Sequence, residues 1–285
     1  MRKNFQTTAP AKINLSLSVG PPIESKGMMH PIASWMTTLD FFDEVCVTRL
    51  DEGDLSRYAV LWHEDAPQKT TIDWPITSDL AVRAHRRLEA EVGRSLPIQL
   101  KVEKRIPVGA GLGGGSSDAA ATLRALKELF QLDIDIHAIG ASLGSDIPFL
   151  IDGGSQIVTG FGEQLESFSK VQRAVVLILP PYGCPTGEVY DAFDELSRPT
   201  LDEEQVRDGV IFNALTTAAM EISEELSSDM AKIEAVAEVE VHLSGSGSSM
   251  FVICDNVMHA EALALVIKEK TGLVAIAANT IIPEF

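Results

Sequence analysis

The chain has 285 residues, 45% of them hydrophobic and 22% charged, a globular composition that suits one large domain or two of ordinary size. Lys and Arg number 23 against 41 Asp and Glu, and the net charge of −18 excludes the basic footprint that nucleic acid or an anionic membrane surface requires. No apolar run nears the ~20 residues of a membrane span, residues 1–15 lack the apolar segment of a secretory signal, and the three scattered cysteines form neither a zinc nor a redox motif, so a reducing, cytoplasmic setting is expected.

In chain order, Ala11, Ile13, Leu15, Leu17 and Val19 alternate with Lys12, Asn14, Ser16 and Ser18, which predicts a half-buried strand with one polar face. Gly20-Pro21-Pro22 ends it, and a loop runs to His30-Pro31. Residues 44–50 and 58–62 read as strands, and 78–92 as a helix capped by Ser78. Ile98, Leu100 and Val102 mark another one-faced strand. A glycine-rich loop follows, then a helix opening at Ser116 or Ser117, with Ala119, Leu123, Leu126 and Phe130 at helical spacing. Residues 136–143 are predicted helical, 171–179 a strand, and 189–196 and 201–226 helical. Strands at 239–243 and 250–254 flank the serine–glycine run 244–249; a helix at 258–271 and a strand at 274–280 complete the chain. Strands and helices mix without a βαβα rhythm, so the expected fold class is α+β. The weakest-patterned join, near 160–172, divides the chain into expected units of 1–165, for ATP binding and catalysis, and 166–285, on the substrate side.

Five glycines fall among the seven residues from Gly109 to Gly115. Without Cβ atoms the backbone can turn its N–H groups onto an anion, and the helix that follows adds free N–H groups and a partial positive charge. Pro107, Val108, Gly109, Ala110, Gly111, Leu112, Gly113, Gly114, Gly115, Ser116 and Ser117 are therefore read as a polyphosphate cradle. It is not a Walker A loop, because Gly115 stands where the lysine belongs. Gly109, Gly111 and Gly114 match G-x-G-x-x-G, but the preceding strand alternates instead of being buried on both faces, which disfavours a dinucleotide fold. Asp146, in Gly144-Ser145-Asp146-Ile147-Pro148, is either a turn-capping residue or a carboxylate presented for chemistry. Lys12, beside Asn14, is either a solvated edge charge or a site cation, and residues 244–249 are either a hairpin turn or a second wall of the site.

Together these residues resemble the small-molecule kinase superfamily of galactokinase, homoserine kinase, mevalonate kinase and phosphomevalonate kinase. The run from Pro107 to Ala120 follows its middle motif, P-x-x-x-G-L-G-x-S-S-x-A-A, and Leu243 to Phe251 follows its C-terminal glycine motif. Ala9-Pro10-Ala11-Lys12-Ile13-Asn14-Leu15, the segment from Leu143 to Pro148 and the tripled glycine before Ser116 look most like the branch that phosphorylates a cytidylyl sugar alcohol in the non-mevalonate isoprenoid route. The resemblance implies an N-terminal ribosomal-protein-S5-like half, a C-terminal ferredoxin-like half, and ATP and Mg²⁺ as cofactors. It implies that residues 107–117 bind the ATP phosphates, that Asp146 acts on the substrate hydroxyl, and that Lys12 holds and polarises that pair. Asn14, Met29, His30 and Tyr190 would line the substrate pocket, His30 on the cytosine edge and Tyr190 against its ring. Two positions depart from the family pattern: Met29 replaces a tyrosine that sandwiches the cytosine, and Asp79-Leu80 replaces Asn-Leu near the adenine. Another small-alcohol kinase of the superfamily, or a non-catalytic nucleotide-binding module, is the alternative. The metal ligands are left unassigned, and the oligomeric state is left at monomer or homodimer.

Overall fold

The computed structural model describes residues 3–168, 172–196, 200–283 and 285. The N-terminal elements are β1 (Asn4–Val19), β2 (Ile32–Arg49), β3 (Arg57–Trp62), α1 (Leu80–Val92), β4 (Ile98–Lys104), α2 (Gly114–Phe130), α3 (Ile136–Ala141), α4 (Ile147–Asp152), β5 (Ser155–Gly160) and β6 (Gln164–Ser167). The chain continues with β7 (Ala174–Leu179), α5 (Thr186–Leu196), α6 (Glu203–Arg207), β8 (Phe212–Asn213), α7 (Thr216–Ile222), α8 (Glu224–Ala237), β9 (His242–Leu243), β10 (Met250–Cys254), α9 (Val257–Thr271) and β11 (Val274–Ile281). The fold is α+β.

The strands join in the order β3-β4-β2-β11-β7-β10-β9, with β1, β5, β6 and β8 attached beside this path. The spine is β2, an 18-residue strand rich in β-branched and aromatic residues and free of Gly and Pro. One edge pairs with β1 along its length; the other takes β5 at 32–37, β11 at 38–39 and β4 at 44–49. The β1–β2 register slips between Pro10 and Lys12 and again between Asn14 and Ser16. Such irregularities re-aim side chains, and Lys12 and Asn14 stand between the two.

Two apolar clusters hold these layers. One packs the sheet against the helices, with Ala119, Ala120 and Ala121 letting α2 lie close to it. The other joins Ala11, Ile13 and Leu15 of β1 to Val175 and Leu177 of β7 and Phe251 of β10. The sequence-based strands and helices at 58–62, 98–103, 250–254 and 258–271 agree with β3, β4, β10 and α9 to within a residue.

Four expectations are corrected. The polar face of β1 is buried too: Lys12 is 4% exposed, and Asn14, Ser16 and Ser18 are equally enclosed, because glycine loops and residues from the second half cover it. Asp79, not Ser78, caps α1, accepting the Ala81 N–H at 2.9 Å, while Ser78 ends a short 3-10 turn. The run 201–226 is not continuous: Gly209, at φ +72°, and Asn213 break it into α6, β8, α7 and the start of α8. Residues 32–43 and 155–167 carry strand that simple alternation misses, since β2 is buried on both faces over Ile32–Leu39. The strand expected from Val171 is seen from Ala174; Val171 lies outside the described residues.

Candidate active site

Two cavities share the loop between β4 and α2 as a common wall. The larger holds about 880 Å³ and the smaller about 290 Å³, and Gly109, Gly111 and Gly113 line both. Lys12, Asn14, Met29, His30, Asp146 and Tyr190 all line the larger. Pro107 to Ala110 and Gly114 to Ser116 line the smaller, with Trp74, Asp79 and Leu80 opposite. Leu112 faces the core and Ser117 is buried, so neither lines a cavity.

Lys12 occupies the junction. Its Nζ donates to Asn14 Oδ1 at 2.6 Å and lies 3.5 Å from Asp146 Oδ2. Asn14 in turn donates to Ser34 Oγ, and Ser34 to the Ser16 carbonyl, so Lys12 and Asn14 belong to a buried hydrogen-bonded chain and not to a solvated edge. The backbone fixes the lysine as well, since its N–H donates to Leu112 O at 2.9 Å. A Cβ on Gly113 would stand 2.9 Å from Lys12 Cγ, which is why a glycine lies there. Asp146 is the residue before α4, and its side chain caps no N–H group. Its carboxylate is left for the cavity.

At the far end of the larger cavity, His30 Nδ1 lies 2.8 Å from Gly20 O. A carbonyl only accepts, so Nδ1 carries the proton there. The His30 and Tyr190 rings are 5.0 Å apart and tilted by 45°. Burial, and then the charge of Asp146, push the Tyr190 hydroxyl up to about 12, so it remains a donor at neutral pH. Met29 is half exposed on the rim, and Asp194 Oδ2 lies 3.5 Å from His30 Nε2. Cys184 lines the same cavity as a buried thiol pushed up by burial.

The serine–glycine run does face the first loop. Ser244 Oγ donates to Gly111 O at 2.9 Å, Ser249 N–H donates to Ala110 O at 3.1 Å, and Asn213 holds the carbonyls of Leu243 and Gly245. The two loops touch backbone to backbone, so Gly245 and Ser246 complete the wall beside Lys12.

In the smaller cavity, α2 begins with Gly113 in the left-handed conformation and no side-chain cap. The first intrahelical bond runs from Ser117 N–H to Gly113 O, leaving the N–H groups of Gly114, Gly115 and Ser116 for an anion. Trp74 Nε1 donates to Asp79 Oδ2 at 3.2 Å, setting an indole beside Leu80 at the open end. Sequence reasoning missed Trp74, which lies in an aperiodic loop. It also missed the buried group formed by Lys104, Asp43 and Asp118. Burial opposes the Lys104 charge, but Asp118 and Asp43 outweigh it and hold the ammonium above the ordinary lysine value. Burial raises the Asp118 carboxyl well above the usual carboxylate range against the pull of Lys104.

The comparisons with known proteins bear on this geometry. The model for the GHMP kinases N terminal domain matches residues 79–154, the segment that contains the glycine loop and Asp146. The chain is 32% identical over 289 residues to the 4-diphosphocytidyl-2-C-methyl-D-erythritol kinase of Desulfitobacterium hafniense, covering 95% of this chain and 94% of that one. It belongs to the 4-diphosphocytidyl-2-C-methyl-D-erythritol kinase family. The Exiguobacterium sibiricum member is 33% identical over 270 residues, covering 90% of this chain and 91% of its own length. The crystal structure of a 4-(cytidine 5'-diphospho)-2C-methyl-D-erythritol kinase superposes with a TM-score of 0.77 at 28% identity, covering 96% of this chain and 98% of that one. A homoserine kinase from Cytophaga hutchinsonii has a TM-score of 0.68 at 14% identity, with 99% of this chain and 96% of that one covered, and shares the fold alone. The chain is thus an ATP-dependent kinase, and among the described residues no helix is long and apolar enough to cross a membrane.

Proposed function

We propose that this kinase transfers the γ-phosphoryl group of ATP to a hydroxyl of 4-diphosphocytidyl-2-C-methyl-D-erythritol, a step of the non-mevalonate isoprenoid route. One observation carries the reading: the glycine loop separates a smaller cavity, walled by the start of α2, from a larger one, and Lys12 and Asp146 stand at the junction. ATP lies in the smaller cavity, with the base near Trp74 and Leu80 and the phosphates on the free N–H groups of Gly114 to Ser116. The cytidylyl substrate lies in the larger one, its cytosine between Tyr190, His30 and Met29 and its hydroxyl at Asp146.

Phosphoryl transfer demands positioning and charge neutralisation more than covalent help from the protein. The substrate hydroxyl oxygen bonds to the γ-phosphorus as the bond to the β-phosphate oxygen breaks, and Asp146 takes the hydroxyl proton. Lys12 places positive charge on the attacking oxygen and the moving phosphoryl group. Asn14 aims the ammonium, holding it at 2.6 Å. Mg²⁺ would be held mainly by the phosphate oxygens, with the Ser116 hydroxyl, in the wall of the smaller cavity at the start of α2, as a hard oxygen within its reach. When bound, the ion supplies charge neutralisation at the β- and γ-phosphates.

An ADP-release assay tests the acceptor. Turnover is expected with 4-diphosphocytidyl-2-C-methyl-D-erythritol and not with homoserine or mevalonate. Comparable kcat/KM for either small alcohol would overturn the assignment.

A further inference from the structure

Between Lys104, the last residue of β4, and Gly114, the first of α2, the chain has little side chain with which to hold its own shape. Its middle is fixed from outside: Ser249 N–H and Ser244 Oγ donate to the carbonyls of Ala110 and Gly111, and the Lys12 N–H donates to the Leu112 carbonyl. Its two ends are fixed by a different device. Asp43, on the neighbouring β2, accepts the backbone N–H groups of Arg105 and Ile106 with Oδ1, the latter at 2.8 Å. Its Oδ2 takes Lys104 Nζ at 2.5 Å, and the same nitrogen reaches Asp118 Oδ2 in α2 at 2.6 Å. One ammonium therefore ties three elements together at the base of the loop. All three side chains are essentially buried.

A buried ion group is a poor way to add stability, because the cost of desolvating its charges rivals their attraction, and an apolar set of the same volume does as well. What it supplies is direction: hydrogen bonds fix where Ile106 leaves β4 and where α2 starts, which apolar packing does only loosely. Lys104 and Asp118 also stand in the wall of the smaller cavity and not in that of the larger. A loop held in its binding shape loses less freedom when the ligand arrives, so the gain appears as affinity.

We infer that Asp43, Lys104 and Asp118 form a clamp that fixes both ends of the phosphate loop, and that Asp118 is a positioning residue for the phosphates of ATP. This rests on the loop being the ATP site, but it is independent of which alcohol is the acceptor. The test is Asp118→Asn, which keeps the shape and removes one charge. Calorimetric titration of the full chain with ATP, ADP and AMP is the direct readout. ATP affinity is expected to fall about tenfold, the scale of one weakened charge-assisted hydrogen bond. The loss should shrink from ATP through ADP to AMP as fewer phosphates reach the loop. KM for ATP should rise by the same factor, with kcat and the KM of the second substrate within about twofold. Should Asp118→Asn fail to fold, Asp118→Glu, which keeps the charge but moves it by one methylene, takes its place with the same expectation. Unchanged ATP affinity in a folded variant overturns the inference. So does an equal loss for all three nucleotides, which would mark general loosening of the domain.

Discussion

At the scale of single residues, Lys12 shows what a sequence can and cannot say. Its identity was legible, because the run around it resembles a kinase motif. Its setting was not: period-two alternation tells which residues share a face, and nothing about what covers that face. Gly113 and Gly245 cover it, and burial changes the chemistry, since a charge pair shielded from water acts far more strongly than one on a strand edge. Lys12→Ala and Asp146→Ala should each lower kcat by about 10²-fold or more, the scale of a general base or an oxyanion group. Circular dichroism and the thermal midpoint show whether the fold survives; near-normal turnover in a folded variant removes that residue from the proposed chemistry. Met29 makes a prediction of the opposite sign. It sits half exposed on the rim of the cavity that Tyr190 also lines. A thioether gives up the offset stacking of an aromatic ring, worth about 0.5–1.5 kcal/mol. Met29→Tyr should therefore lower KM for the cytidylyl substrate, by a few-fold, and leave KM for ATP alone. A KM that stays the same or rises means the cytosine lies elsewhere.

At the scale of elements, both glycine loops could be picked out from composition, but their contact could not. Gly111 and Ser244 are 133 residues apart in the chain, and no local pattern encodes a meeting of that kind. The hairpin of β5 and β6 was missed for a related reason: its short strands have no clean alternation, and it is held by the β2 edge with which β5 pairs. Gly111 tests the loop contact. It has φ +75°, and a Cβ there would lie 2.2 Å from Ser244 O and 2.9 Å from Gly247 O. Gly111→Ala must push the two backbones apart, moving the phosphate loop and the Leu112 carbonyl that anchors Lys12. A displacement near 1 Å at an active site costs about 10²-fold in rate, and kcat/KM should fall by that order. Gly93→Ala is the control. That glycine also has a positive φ, +67°, but a Cβ there meets nothing within 4 Å. It should cost about 1–2 kcal/mol of stability from the backbone alone, with activity unchanged. Equal activity losses in the two variants would mean that loop-to-loop contact is not what Gly111 protects.

At the scale of the whole molecule, the net charge of −18 sets a problem for an enzyme whose two substrates are both anionic. The structure relieves it at one cavity and sharpens it at the other. Residues 106–117 contain no acid, and the anion-binding capacity of the loop comes from backbone N–H groups and the start of α2, which a count of side chains does not register. The larger cavity is different. Asp146, Asp191 and Asp194 all line it, and among the described residues Lys12 is its one lysine or arginine. A diphosphate-bearing substrate must enter past those carboxylates and across an acidic outer surface, so the field of the protein slows its approach. Added salt shortens the reach of that field to about 8 Å at 0.15 M and so spares the contacts made once the substrate is bound. At fixed free Mg²⁺, kcat/KM for the cytidylyl substrate should rise by a few-fold as ionic strength increases from about 0.01 to 0.15 M and then level off, with kcat nearly constant, because only the encounter is screened. Asp191→Asn and Asp194→Asn together should raise the low-salt value and flatten the curve. A kcat/KM that falls steeply with salt would instead show that a basic path on the surface guides the substrate in, and that the acidic residues around the cavity serve recognition of the cytidylyl group without governing its approach.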